Sequence, residues 1–445
     1  MSASDTDSER TGAVASRTDA TETGRRARAS RVSSPEAEQR ARAALRSVAA
    51  DPALRSLLRE LARDPALERA RRGLYRLADD AARFDAFVLF AEQQQVEGWL
   101  AFHGLTGAQG AAGRYTIEAT PNGSRGGGRT AGSASSDFAA SGTPGARAAS
   151  WNRLRAVRER ALYQSLLLEQ ASRPLLATFV DQRLPFVVLK GLHLAQTVYP
   201  ASWVRSMSDI DILIRVEDRE RFEGVLRRHG FRRQPVCPER PFKNDVVHER
   251  AWVHRLPNGA PLMVEVHTAL ANEERFFIDH AALFARAEPF AYAGLELRGL
   301  CTTDLFCHVL LHIAASHYFQ GSLRGLVDLL QIYEVRPLDW EAVRARCRSW
   351  GCATIAWAVL DALRGTFGVD VPEPTLRRLR PSWPKRVWSW GWLRDTAPPL
   401  YRFSHLDRIP LAQLVMFWPL LDTAGQRWRM LVRDLHLRAL DWALR

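Results

Sequence analysis

Apolar positions fall at helix spacing over residues 34–103. Leu54, Leu57, Leu58 and Leu61 form one such set, and Phe84, Phe87, Val88, Phe90 and Ala91 another. Asp51-Pro52 and Asp64-Pro65 suit helix starts, a capping residue followed by proline at the first position. The spacing returns over 150–182, with Leu154, Val157, Ala161, Leu162, Leu166 and Leu167 on one face. Pro174 should kink or split that helix. The pattern then changes. Val187, Val188 and Leu189 make a short β-branched run, as a central strand requires. Lys190-Gly191 ends it, a short helix runs to Pro200, and a second strand reads Asp209-Ile210-Asp211-Ile212-Leu213-Ile214. A helix over 217–229 stops at His229-Gly230. Strands are expected over 246–255 and 261–268, joined by the hairpin signal Pro257-Asn258-Gly259. Residues 302 onward read as helices, broken near Gly321, Pro337, Gly351 and the pair Pro372 and Pro374.

These elements predict an α+β protein. A small mixed β-sheet core over 151–300, with its lead-in helix, is flanked by an N-terminal helical segment at 34–103 and a C-terminal helical domain at 301–445. Residues 1–33 are polar, lack aromatics and are expected to be disordered. Residues 104–150 are rich in Gly, Ala and Ser and are expected to be a flexible insertion. Their Gly-Ser-Arg-Gly-Gly-Gly-Arg run lacks the Gly-Lys-Ser/Thr ending of a phosphate loop.

The net charge of +13 is almost wholly arginine, since lysine occurs only at Lys190, Lys243 and Lys385. A basic surface attracts phosphates. No basic block is interleaved with aromatics, so nucleic acid is a possible partner without a visible binding module. The cysteine count of five is odd and no C-x-x-C occurs, which argues against a disulfide framework. With no apolar leader and no spanning segment, the expectation is a cytoplasmic protein without a membrane partner.

Chemistry concentrates in the second strand. Side chains two apart on a strand share a face, so Asp209 and Asp211 point the same way out of an otherwise apolar run. Two like charges there repel unless a cation lies between them. A divalent cation does this, and carboxylate oxygens suit Mg²⁺ or Mn²⁺. The plainer reading is a structural pair between Asp211 and an arginine. In the later hairpin Glu265 and His267 share a face, opposite Val264 and Val266. Arg324 and Asp328 stand one helical turn apart, the spacing of an intrahelix ion pair.

In order the chain carries Leu189-Lys190-Gly191, Tyr199-Pro200, Arg205, Asp209-Ile210-Asp211, His248, Glu265 and His267, then His312, His317, Arg324, Asp328 and Leu338-Asp339-Trp340. This series resembles the uncharacterised nucleotidyltransferase family of the polymerase-β-like superfamily, over about 160–420. The resemblance implies a metal-dependent enzyme that moves a nucleoside monophosphate from an NTP to an acceptor, whether small molecule, peptide, protein or RNA. It implies Asp209, Asp211 and Glu265 as metal ligands and catalytic carboxylates. It implies Lys190, Gly191, Arg205 and Ser208 as phosphate contacts. His248, His267, His312, His317, Arg324 and Asp328 are secondary candidates, the last helices forming a lid or the acceptor side. Better-known nucleotidyltransferases carry Gly-Ser where Lys190-Gly191 stands. The alternative is a non-catalytic nucleotide-binding or regulatory protein on the same fold. Loss of an acidic residue would mark it, and all three are present.

Overall fold

The computed structural model describes residues 73–108 except Tyr75 and Gln94, then 144–234, 248–315, 323–387 and 418–443. The N-terminal helices are α1 (Ala81–Gln93) and α2 (Glu97–Ala108), followed by the long α3 (Pro144–Asp181). The central part holds β1 (Phe186–Val188), α4 (Lys190–Thr197), β2 (Asp209–Ile214), α5 (Arg219–Arg228), β3 (Arg232–Arg233), β4 (Glu249–Arg255) and β5 (Pro261–His267). It continues with α6 (His280–Arg286), β6 (Glu288–Tyr292) and β7 (Leu295–Gly299). The C-terminal helices are α7 (Thr302–Ala315), α8 (Leu323–Val335), α9 (Trp340–Ser349), α10 (Ala353–Phe367), α11 (Glu373–Leu379) and α12 (Ala424–Ala443). None of the described helices is long and apolar enough to cross a membrane.

The seven strands form one mixed sheet in the order β3-β4-β5-β2-β1-β7-β6. β2 lies antiparallel to β1 and parallel to β5. Strand alternation sends Ile210, Ile212 and Ile214 to one face. They join Val188, Val264 and Val266 there, and pack on Leu175, Leu176 and Phe179 of α3 and Phe222, Val225 and Leu226 of α5. Val187 and Leu213 point to the other face, into a core shared with α1, α2 and the C-terminal helices. Asp209 and Asp211 are on that second face, set by the same alternation.

Several elements depart from their expected form. Pro174 does not split α3; the helix runs on to Asp181. The apolar residues just beyond the proline are buried against the sheet and offset one lost backbone hydrogen bond. Both ends of the Gly/Ala/Ser-rich stretch at 104–150 are helical, closing α2 and opening α3, where Ser150 donates to the Ala78 carbonyl at 3.1 Å. Residues 109–143 lie outside the described ones. The β6–β7 hairpin was not anticipated. It turns on Ala293 and Gly294, both at positive φ (50° and 77°), and alanine is not a turn signal there.

The first turn of α2 lies directly on the loop that leads into β2. A Cβ at Gly98 would come 2.7 Å from the carbonyl oxygens of both Trp203 and Val204. Only glycine allows that approach, and it brings Glu97 against Ser206, three residues before Asp209.

Candidate active site

Parallel pairing of β2 with β5 sets Asp209 opposite Met263, Asp211 opposite Glu265 and Leu213 opposite His267. Asp211, Glu265 and His267 therefore converge, each offering a ligand atom within 4.8 Å of the others. Lys190 opens α4 straight after β1, and its Nζ lies 2.8 Å from Asp211 Oδ1. His267 Nε2 lies 3.1 Å from the same oxygen. Burial opposes ionisation of Asp211, but Lys190 and His267 outweigh it and hold the carboxyl well below its ordinary range.

Its neighbours go the other way. Burial, then the charge of Asp211, raises Asp209. Burial, Asp211, Glu249 and Asp209 together push Glu265 up to about 9. Three carboxylates thus share one face, and among the described residues Lys190 is the one lysine or arginine in ion-pair contact with them. An oxygen-rich cluster short of positive charge fits a divalent cation. A proton does the same for Glu265, with a consequence for stability. The folded chain holds that proton from the ordinary glutamate range up to about 9, whereas the unfolded chain has lost it. Metal-free wild type should therefore lose stability between pH 5 and 9, because over that range the unfolded chain ionises Glu265 and the folded chain does not. Glu265→Gln should flatten this dependence, which urea melts across that range would show.

The other expected phosphate contacts are placed differently. Arg205 is buried, and its Nε and Nη2 each donate to Asp328 at 2.8 Å. Tyr199 Oη donates to Asp328 Oδ1 at 2.7 Å. Burial opposes the charge on Arg205, Asp328 outweighs it, and the guanidinium stays firmly protonated. Arg205 thus joins the β2 entry loop to α8 and is not open to a phosphate. The Arg324–Asp328 pair expected from spacing does not form, because Arg205 has taken both carboxylate oxygens. Gly191 gives its carbonyl to Arg205 Nη1 at 3.4 Å, and Ser208 is exposed.

Arg324 is the cation left over. It is largely enclosed, with part of its surface open, and makes no hydrogen bond or ion pair among the described residues. Burial, then the nearby Arg205 charge, lowers its pKa, while Asp328 and Asp209 act to raise it.

His248 sits beside His267, ring centroids 6.4 Å apart, and burial followed by the His267 charge lowers it to about 4. His308 of α7 is buried near Lys190, His267 and Asp211, with no hydrogen-bond partner at Nδ1; burial lowers it to about 3. His312 is one turn further along, its ring 6.0 Å from that of His308. His317 lies outside the described residues. Asp339 of the Leu-Asp-Trp segment caps α9, accepting from the backbone N–H of Glu341 and Ala342 at 2.9 and 3.0 Å.

Sequence reasoning passed over Glu97. It accepts a 2.7 Å hydrogen bond from Ser206, its other oxygen is buried without a partner, and burial raises its pKa against the opposing effect of the Ser206 hydrogen bond and, more weakly, Arg324. An acidic residue in the first turn of a helix is common, so nothing local marks it.

The nucleotidyltransferase class that this sheet and its carboxylates suggest is also the one that comparison gives. The family model described as uncharacterised nucleotidyltransferase matches residues 140–368, just over half of the chain. The chain belongs to that family. No curated protein matches it. Glu97 lies outside the matched residues, whereas Lys190, Asp209, Asp211, Glu265 and Arg324 lie inside them.

Proposed function

We propose that this protein moves a nucleoside monophosphate from an NTP to the hydroxyl of an acceptor and releases pyrophosphate. The observation that carries this reading is the set Asp209, Asp211 and Glu265 on one sheet face, the last two being register partners, with Lys190 paired to Asp211. Asp209, Asp211 and Glu265 are the groups to hold Mg²⁺ or Mn²⁺. Such an ion supplies Lewis-acid stabilisation of the transferring phosphoryl group and eases ionisation of the attacking hydroxyl. Glu265 keeps its proton up to about 9 in the metal-free chain, and a bound cation would displace that proton and leave the carboxylate as the ligand on the hydroxyl side of the site. Lys190 and His267 hold Asp211 ionised and fixed. His308 of α7 lies near Lys190, His267 and Asp211, and Arg324 of α8 near Asp209, so both helices approach this face.

Arg324, which lies near Asp209 and has no ion-pair partner among the described residues, is the residue for the polyphosphate. Arg324→Ala should weaken NTP binding by roughly 10- to 100-fold, one charge-assisted contact of about 1.5–3 kcal/mol. It should leave the nucleotide-free melting temperature unchanged or higher, since no ion pair is broken. Calorimetric titration with a non-hydrolysable NTP, beside a melt of the free protein, checks both.

The central experiment supplies α-labelled NTPs with Mg²⁺ or Mn²⁺ and a lysate, and follows pyrophosphate release and the fate of the label. Wild type should transfer label, and Asp209→Ala should not. Equal labelling by both proteins, or none by wild type with any of the four NTPs, overturns the proposal.

A further inference from the structure

His267 faces two ways. Its Nε2 lies 3.1 Å from Asp211 Oδ1, an ionised oxygen that only accepts, so Nε2 carries the ring proton. The other ring nitrogen, Nδ1, lies 3.9 Å from Glu249 Oε2, too far for a hydrogen bond and close enough for both atoms to share a cation. A third donor completes the group. The ligand atoms of His248, Glu249 and His267 all lie within 4.8 Å of one another.

Each of the three is held in place. Glu249 and His267 are register partners on β4 and β5. The His248 carbonyl accepts from the Thr268 backbone N–H at 2.8 Å and from its hydroxyl at 3.2 Å. The Glu249 side chain is 40 % exposed, so water can complete the coordination and an ion can enter. Nearby, Arg433 is paired with Glu274 at 2.7 Å, which mutes its repulsion of a cation.

We propose that His248, Glu249 and His267 form a second metal site, for a nitrogen-preferring transition-metal dication such as Zn²⁺. Two imidazoles and a carboxylate with an open position suit Zn²⁺ and disfavour Mg²⁺, which seeks oxygen ligands. Asp211 orients His267 from behind, as carboxylates do for zinc-bound histidines. Asp211 thereby links this site to the Asp209–Asp211–Glu265 cluster. The assignment rests on geometry and stands apart from the nucleotidyl-transfer reading.

The test is metal uptake by the tag-free full chain in a large excess of Mg²⁺, which occupies oxygen-only sites. Wild type should retain a single equivalent of Zn²⁺ on dialysis, and Co²⁺ in its place should give the visible bands of a nitrogen-ligated site. His248→Ala and Glu249→Gln should each weaken uptake by about tenfold or more. Glu249→Gln guards against a folding artefact, because this side chain is partly exposed and the amide keeps its shape. No uptake by wild type overturns the site. Undiminished uptake by both variants overturns it too. Either result leaves nucleotidyl transfer to be judged separately by the labelling experiment.

Discussion

Asp211→Asn is expected to abolish nucleotidyl transfer and to destabilise the metal-free protein by about 3–5 kcal/mol, the cost of stranding one partner of a buried pair. Two adjacent aspartates, read from sequence alone, predict the opposite effect on stability: removing one charge relieves the other. The structure reverses this because Lys190 Nζ lies 2.8 Å from Asp211 and, among the described residues, has no second carboxylate in ion-pair contact. The pH dependence identifies the cause. Asp211 titrates below its unfolded value, so its contribution is fully present above the ordinary aspartate range and is lost as pH falls. Wild type and Asp211→Asn should therefore converge in stability toward acid and differ most near neutrality. Lys190→Met added to Asp211→Asn should recover part of the loss, because the stranded ammonium goes with it. Urea melts of the three proteins at neutral and acid pH decide it. If Asp211→Asn is as stable as wild type near pH 7, the pair is not what holds this corner. If it still transfers label, Asp211 is not catalytic.

Asp328→Ala is expected to be at least as damaging to stability. It leaves Arg205 charged, buried and without its two 2.8 Å partners, and it frees the Tyr199 hydroxyl. The loss should again be about 3–5 kcal/mol. Tyr199→Phe removes one hydrogen bond to a charged group and should cost about 1.5–3 kcal/mol. The same experiment separates the two roles weighed for Arg205. A phosphate contact leaves the nucleotide-free protein nearly untouched when mutated. A cross-link between the β2 entry loop and α8 lowers the denaturation midpoint without nucleotide. Arg205→Ala should do the latter, while Arg324→Ala should change nucleotide affinity. If the free Arg205→Ala protein melts like wild type, the cross-link carries no stability.

Much of the core could be read along the chain because its signals are local. Alternation in Asp209–Ile214 is enough to place three isoleucines on one face and two aspartates on the other. Pro257-Asn258-Gly259 marks its own turn, and the structure closes it with Gly259 donating to the Leu256 carbonyl at 2.8 Å. The β6–β7 hairpin was missed since Ala293 adopts a positive φ that its side chain does not advertise. Glu97 was missed because its importance comes from Gly98 docking on Trp203 and Val204, a contact across more than a hundred residues.

The sequence by itself determined which side chains share a face, where strands give way to helices, and which family the ordered motifs resemble. The first two follow from periodicity and turn chemistry within a few dozen positions, the third from the order of residues along the chain. Only the tertiary structure decided what pairs with what. Arg205 and Arg324 are alike as letters. One is neutralised by Asp328 and the other, near Asp209, has no ion pair among the described residues, because Arg205 from the β2 entry loop engages the Asp328 carboxylate. Charge pairing depends on distances of a few ångströms between residues far apart in the chain, and on burial that sets the strength of each charge.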